Sequence, residues 1–142
     1  MNIYTTDKIR NVVLLGHGGS GKTSLAEAFG YLSGITSRMG KVDDGNTLSD
    51  YSKEEQKRHF SISTSVIPIE WEGYKINIID TPGYFDFVGE VEEAVSAAGA
   101  AIIVVNASKL APRRHGSFAR NTSCPVSSMF PTWMWITLPS VR

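Results

Sequence analysis

The sequence predicts an α/β domain, because short apolar runs alternate with segments that carry apolar residues at helical spacing. The run NVVLL at residues 11–15 and the run AAIIVV at residues 100–105 are continuous, which is typical of strands covered on both faces. Along the chain the predicted elements are strand, helix, hairpin, helix and strand. This order predicts helices layered on a central sheet.

The first predicted strand runs into a glycine-rich stretch that opens a helix. From Lys22 onward, apolar residues recur at helical spacing, and Gly34 is a suitable stop. Residues 37–58 are polar and charged without sustained apolar periodicity, so we expect a long loop with one helical turn at Lys53–Arg58. A loop of this length in a compact domain is usually functional.

A β-hairpin and a second helix are predicted next. Residues 61–71 and 74–80 alternate polar and apolar side chains around the turn Glu72-Gly73. Residues 88–98 repeat apolar side chains at helical spacing, and their acidic residues stand near the start, which suits a helix N-terminus. We expect the acidic side chains there to be solvated: Glu90, Glu92 and Glu93.

Length and composition restrict the class of protein. The chain has 142 residues, about one domain, with 42% hydrophobic and 20% charged residues, which excludes a fibrous or wholly disordered class. No apolar run approaches the roughly 20 residues of a membrane span, and the N-terminus lacks the apolar stretch of a signal peptide. Cys124 is the single cysteine, so a disulfide within the chain is excluded. We expect a cytoplasmic protein without a membrane partner.

The charge is distributed unevenly along the chain. All 14 acidic residues precede residue 108, whereas residues 108–142 carry five basic residues and no acidic one. This shift predicts one domain over residues 1–107 and an atypical basic tail over residues 108–142. The tail is either disordered or frameshifted, or it is a genuine segment that binds nucleic acid or an anionic membrane.

A phosphate-binding motif follows the first strand. The pattern G-x-x-x-x-G-K-[ST] is matched by Gly16, His17, Gly18, Gly19, Ser20, Gly21, Lys22 and Thr23, with Ser24 next in the helix. Glycines let backbone N–H groups converge on phosphate oxygens, and the helix adds its positive dipole end. We expect Lys22 to span the β- and γ-phosphates and the Thr23 hydroxyl to bind Mg²⁺.

A second motif, Asp80-Thr81-Pro82-Gly83, ends the hairpin. In nucleoside triphosphatases a carboxylate at a strand end holds Mg²⁺, and a glycine just beyond it brings a backbone N–H to the γ-phosphate. On its own this tetrapeptide is also a good turn. At a strand end, well after a P-loop lysine, it predicts Asp80 and Gly83 as site residues.

With these two motifs, the charged loop, SISTSV and INIIDTPGYFDFVGEVEEAV, the chain resembles the GTP-binding domain of translation elongation factor G. The resemblance runs from Lys8 to Ala107. It implies the P-loop NTPase fold, here an incomplete three-layer α/β/α sandwich, and a GTPase that uses GTP/GDP and Mg²⁺. It implies the ribosome as partner, with no DNA, and a monomer. The tetracycline-resistance protection proteins and peptide-chain release factor three are related ribosomal GTPases that fit as well.

The resemblance also implies roles for three further positions. Family members carry a threonine that binds Mg²⁺ after an arginine-glycine-hydrophobic triplet, and here Ser61 follows Arg58-His59-Phe60. After D-T-P-G the family usually has a histidine that positions the attacking water, and here the residue is Tyr84. A phenol cannot carry charge as an imidazole can near neutral pH, so we expect slow or altered hydrolysis. The implied catalytic set is Lys22, Gly83 and Tyr84.

The guanine-specifying motif N-K-x-D of the family is not found in this sequence. Because methionine and tryptophan have one codon each, the shifted reading frame is partly fixed: Met129-Phe130 must give valine and Trp133-Met134 must give aspartate. The family has a valine and an aspartate at that spacing around its motif, which favours a one-base deletion near Lys109. Two alternatives remain, an ATP-using P-loop protein and a non-catalytic fragment or binding module.

Overall fold

The computed structural model describes residues 2–105 together with residues 126–127 and 134–137. The elements are β1 (Ile9–Leu15), α1 (Lys22–Leu32), α2 (Lys53–Arg58), β2 (Ser65–Trp71), β3 (Tyr74–Asp80), α3 (Val88–Ala97), β4 (Ala100–Val104), β5 (Val126–Ser127) and β6 (Met134–Thr137). The predicted order is confirmed as far as β4. Cys124 and the predicted deletion near Lys109 lie outside the described residues.

The strands form one mixed sheet in the order β2-β3-β1-β4-β6-β5. Its centre is parallel, with β1 between β3 and β4, and Val13 lies opposite both Ile79 and Ala101. Strand β2 is antiparallel to β3, β6 is antiparallel to β4, and β5 is antiparallel to β6. In a parallel centre the carboxyl ends of β1, β3 and β4 meet at one edge, which is where a ligand site is expected.

Both faces of the sheet are covered, as the continuous apolar runs predict. Val13 and Leu15 of β1 belong to a cluster that packs with α3, whereas Leu14 between them belongs to a second cluster that packs with α1. This alternation follows from the period of two along a strand. The described chain therefore has three layers, with α1 and α3 on opposite faces of the sheet.

The hairpin has a two-residue turn and a proline in its outer strand. Glu72 and Gly73 both have positive φ, 47° and 80°, which is the conformation of a tight hairpin turn. Pro68 lies in β2 opposite Asn77 of β3. Proline is tolerated here because β2 is at the edge of the sheet, where no neighbouring strand accepts a hydrogen bond on the outer side.

The long loop over residues 37–64 contains the short helix α2. Ser52 and Glu55 form a capping box at its start, and His59 ends it with φ at 57°. The first strand of the hairpin begins at Ser65, so the prediction of a strand from residue 61 is wrong. The cause is that the N–H groups of Ile62 and Ser63 donate to the Glu55 carboxylate instead of to a neighbouring strand.

Among the described residues, no helix is long and apolar enough to span a membrane.

Candidate functional site

The glycine-rich loop joins the carboxyl end of β1 to the start of α1. Gly21 precedes the helix with φ at 98°, and no side chain caps the helix N-terminus. The first N–H groups of a helix have no partner within it, so this end can receive an anion. Two other amides of the loop already have partners: Gly18 N–H donates to Gly83 O at 2.9 Å, and Ser20 N–H donates to His17 O at 3.1 Å.

Lys22 is buried, with 6% of its surface exposed, although it carries an ammonium group. Its Nζ donates to the carbonyl oxygens of Gly16 at 3.0 Å and His17 at 3.2 Å, so the side chain folds back over the loop. Burial lowers the pKa of Lys22, and the nearby carboxylates of Asp80 and Asp50 oppose that shift. Lys22 therefore presents a desolvated cation beside the glycine-rich loop.

Three oxygen-bearing side chains from distant parts of the chain meet beside Lys22. Thr23 Oγ1 donates to Asp80 Oδ2 at 2.8 Å and lies 3.3 Å from Ser61 Oγ. Thr23 comes from α1, Asp80 from the end of β3, and Ser61 from the long loop. The predicted metal-binding residues are therefore in contact with one another.

Asp80 is the most buried member of this cluster. Burial raises its pKa to about 6, although the Thr23 hydroxyl and the Lys22 charge act to lower it. Its Oδ1 is buried without a hydrogen-bond partner among the described residues. Mg²⁺ binds hard oxygen ligands, often one or two carboxylates with hydroxyls and water, so the donor set and the unpartnered oxygen fit this ion.

Gly83 lies closer to the loop than a residue with a side chain could. A Cβ built on Gly83 would stand 2.6 Å from Lys22 Nζ and would also clash with the backbone of Gly18. Both Gly18 and Gly83 therefore belong to a contact between the two motifs, where the backbones touch directly.

Tyr84 packs between the glycine-rich loop and the long loop. Its ring meets that of Phe60 edge-on, with centroids 4.8 Å apart, and the His17 ring lies 6.3 Å away. A Cβ on Gly18 would stand 3.0 Å from the Tyr84 ring. The motif explains Gly18 by its approach to phosphate, whereas the structure shows that the glycine also makes room for this phenol.

The remaining predicted residues lie around this centre. Gly19 has φ at 73°, and Ser24 is exposed in the first turn of α1. Glu90 is not solvated as predicted, because its carboxylate accepts the N–H of Thr64 at 2.7 Å. Its neighbours Glu92 and Glu93 are exposed, in agreement with the prediction.

Three buried carboxylates near the site were missed by the sequence analysis. Asp50, Glu55 and Glu27 are 3%, 2% and 1% exposed. The spacing Ser52-x-x-Glu55 is a capping-box signal that identifies one of them. Glu27 follows Thr23 by one helical turn, which places both on one face of α1, and this spacing was the available signal.

Asp50 lies close to the cation and to the metal-binding cluster. Burial raises the pKa of Asp50, and a hydrogen bond from the Ser61 hydroxyl partly opposes the shift. Its charge in turn acts on Lys22. The site therefore holds one buried cation facing two buried carboxylates, Asp50 and Asp80.

Comparison with known proteins agrees with this geometry. The sequence matches the family model of the elongation factor Tu GTP binding domain over residues 7–126. It is 43% identical over 101 residues to mitochondrial ribosome-releasing factor 2 of Danio rerio, covering 71% of this chain and 13% of that protein. It is 43% identical over 107 residues to an elongation factor G-like protein of Synechocystis sp., covering 75% of this chain and 16% of the relative.

A solved structure of a Thermus thermophilus protein superimposes with a TM-score of 0.78 at 39% identity, covering 83% of this chain and 18% of that one. The chain thus spans less than a fifth of the length of the proteins that it matches. The resemblance and the P-loop fold expected from the sequence are confirmed. The chain belongs to the translational GTPase family, with a GTP-binding domain of the elongation factor Tu type.

Proposed function

We propose that this chain binds GTP together with Mg²⁺ and forms part of a ribosomal GTPase that hydrolyses the terminal phosphate. The observation that carries the proposal is the convergence of Thr23, Ser61 and Asp80 beside Lys22. These residues come from three separate segments. If their contact served only to hold the segments together, apolar side chains would do so without the cost of burying polar groups.

In this reaction water attacks the γ-phosphorus, the bond from that phosphorus to the β–γ bridging oxygen breaks, and GDP and phosphate leave. The Lys22 ammonium and the N–H groups at the start of α1 would stabilise the charge that develops on the phosphate oxygens. Both are already held in place, so they need little rearrangement. The Gly83 backbone N–H would contact the γ-phosphate and report its loss.

Mg²⁺ would be held by Thr23, Ser61 and Asp80, directly or through water, and when bound it would neutralise charge on the β- and γ-phosphate oxygens. Serine at position 61 keeps the oxygen ligand of the family's threonine and lacks only its methyl group.

Tyr84 stands where the family usually has histidine, and we propose that it makes hydrolysis slow. Its phenol can hydrogen-bond to water without acquiring charge near neutral pH. We expect Tyr84→His to raise single-turnover hydrolysis of GTP in the presence of ribosomes. No rise would count against this role.

The ribosome is the proposed partner, through a longer protein of which this chain is the nucleotide-binding part. Support comes from the relatives, which are named as ribosome-releasing factor 2 and as elongation factor G-like protein. Translocation and ribosome recycling are both compatible with these names. We also propose a cytoplasmic location for this chain, although several of its relatives are named as mitochondrial proteins.

Nucleotide binding tests the proposal directly. We expect a fluorescent GTP analogue to bind in a Mg²⁺-dependent manner and Lys22→Ala to abolish binding. Lys8→Ala is the matched control, because Lys8 is exposed before β1 and should leave binding unchanged. A clear preference for the ATP analogue would favour an ATP-using protein. Identical curves for Lys22→Ala and the unaltered chain would favour a non-catalytic module.

The origin of residues 108–142 stays a separate proposal, a one-base deletion near Lys109. Resequencing the gene across the codons for Asn106 to Ala111 and onward tests it. A long reading frame that continues once one base is restored would support the deletion, whereas an unbroken frame in this register would make the basic tail genuine.

A further inference from the structure

Glu27 is a buried carboxylate that the proposed reaction does not use. It lies on α1 one turn after Thr23, and 1% of its surface is exposed. Its Oε2 accepts the N–H of Gly40 at 3.0 Å, and its Oε1 accepts the N–H of Leu48. A buried carboxylate needs such donors, and here both come from the long loop.

The segment between these two amides is compact. Within it Lys41 N–H donates to Asn46 Oδ1 at 2.8 Å, and Gly45 N–H donates to Val42 O at 3.0 Å. Glu27 thus closes the two ends of the 40–48 segment against α1. The Glu27 side chain therefore holds both ends of this nine-residue segment, and hydrogen bonds within the segment hold the residues between them.

Two glycines fit closely around this attachment. A Cβ on Gly40 would stand 2.7 Å from Glu27 Oε2, and a Cβ on Gly30 of α1 would stand 2.8 Å from the Leu48 side chain. Leu48 therefore docks on α1 through its backbone at Glu27 and through its side chain at Gly30. Both contacts act on the same residue and so hold this end of the 40–48 segment against the helix.

The 40–48 segment also touches α2, which leads to Ser61. A Cβ built on Gly45 would stand 3.5 Å from Gln56 Cβ of α2, and His59 Nδ1 lies 3.1 Å from Val42 O. Ser61, two residues after His59, lies 3.3 Å from Thr23 Oγ1. Helix α1 therefore holds the long loop at two places one turn apart, Glu27 at its first half and Thr23 at its second.

We propose that Glu27 is a positioning residue that anchors the 37–64 loop to α1 and thereby places Ser61 beside Thr23. The anchoring itself rests on the contacts above, and its effect on Mg²⁺ rests on the proposed function. Two measurements test the anchoring and its effect on Mg²⁺ separately.

The first measurement is trypsin cleavage of the full chain without nucleotide. Glu27→Gln replaces one accepting oxygen by a donor that faces an N–H group, and Gly40→Ala pushes the same bond apart from the loop side. In both variants we expect cleavage after Arg38 and Lys41 to accelerate about tenfold, the factor for one lost hydrogen bond of ordinary strength. Cleavage after Lys75 in β3 should stay unchanged, and the melting temperature should fall by only a few degrees, because the sheet keeps its contacts. Glu92→Gln, an exposed change on α3, is the matched control.

The second measurement is the Mg²⁺ dependence of binding of a fluorescent GTP analogue. With Ser61 displaced, we expect both variants to need several times more Mg²⁺ for half-saturation, while nucleotide affinity in EDTA equals that of the unaltered chain. A purely structural role would not change the metal requirement selectively.

Unchanged cleavage after Arg38 and Lys41 would overturn the anchoring, and so would faster cleavage at every site or loss of folding in both variants. Faster loop cleavage with an unchanged Mg²⁺ requirement would overturn the link to Ser61. If the unaltered chain binds no nucleotide, the proposed function fails, whereas the cleavage rates still support or overturn the anchoring by Glu27.

Discussion

The sheet and the long loop of this protein are held together by different forces. The buried residues of β1 are Val13, Leu14 and Leu15, which pack against a helix on either face of the sheet. The buried side chains of the 37–64 loop are all polar: Thr47, Ser49, Asp50, Glu55 and Ser61. Apolar burial is non-directional and insensitive to pH, whereas a carboxylate that accepts N–H groups depends on its charge and on geometry.

This difference assigns separate tasks to the two regions. The sheet fixes Lys22, Asp80 and Gly83 through the ends of its strands and the start of α1, so that half of the site is preformed. The loop supplies Ser61 and is held mainly by hydrogen bonds to buried carboxylates, with Leu48 as an apolar contact, so we expect this half to detach without unfolding the domain. Regions with few apolar contacts are the ones that open locally. Such a division suits the proposed function, in which the loop would respond to the γ-phosphate.

The largest expected effect comes from breaking the sheet region. Leu14→Ala leaves a cavity between β1 and α1, where the wild-type side chain is fully buried. We expect the free energy of unfolding to fall by about 2–5 kcal/mol, a large part of the stability of a small domain. Urea unfolding followed by circular dichroism measures it. A loss below about 1 kcal/mol would show that the core tolerates the cavity. It would contradict the conclusion that apolar packing is the main force holding the sheet region together.

A smaller, local effect is expected from Glu55 in the loop. Burial acts to raise the pKa of Glu55, but the N–H groups of Ile62, Ser63 and Ser52 outweigh it and hold the pKa below its usual value. A group with a lowered pKa stabilises the folded loop at neutral pH, and this contribution is lost as the pH falls through the folded pKa. Acid should therefore release the loop before the apolar core unfolds.

Glu55→Gln should reproduce that release at neutral pH, at a cost of about 1–3 kcal/mol in loop opening. Hydrogen exchange of the Ile62 and Ser63 amides measures this cost, and their proton shifts in NMR spectra report the titration of the carboxylate. Those shifts should move with pH in the unaltered chain and stay constant in the variant. Glu54→Gln serves as control, since Glu54 is exposed on the same helix. Equal titration curves in Glu55→Gln and the unaltered chain would contradict the assignment.

The contact between the two regions is tested by Gly18→Ala. The added methyl group would press on the Tyr84 ring, which is held against Phe60 of the loop. We expect a loss of about 1 kcal/mol in the free energy of unfolding, at the low end for overpacking because Tyr84 is partly exposed. In a double-mutant cycle the loss should disappear in a Tyr84→Ala background. Additive losses would show that the alanine acts through something other than this ring.

The smallest effect is expected at the exposed pair of Arg58 and Glu54, one turn apart on α2 with Nε and Oε2 separated by 3.2 Å. Arg58→Ala should cost about 0.3–0.5 kcal/mol or less, and added salt should reduce the difference. Hydrogen exchange of the same Ile62 and Ser63 amides measures it. A loss as large as that of Glu55→Gln would mean that surface charge, rather than the buried carboxylate, holds the loop.

The sequence predicted strands β1 to β4, both main helices and the P-loop because these depend on local patterns, whereas β5 and β6 were not predicted. Apolar periodicity marks the elements, and the glycines around Lys22 are required at fixed spacing. The buried carboxylates could not be predicted in the same way. Whether Glu27 or Glu90 is solvated depends on where the long loop lies, and this is decided by contacts between residues far apart in the sequence. Tyr84 was found by its departure from the family pattern, but its packing on Gly18 was not.

Pro68 in the edge strand has a consequence for how this domain behaves at high concentration. The ladder between β2 and β3 is continuous through Pro68 and Asn77, so the nitrogen that lacks hydrogen faces away from β3. An incoming strand from a second copy would find a missing donor in the middle of that edge. The domain therefore resists growth by strand addition at β2, which protects a newly made chain from self-assembly while its apolar faces are still being covered.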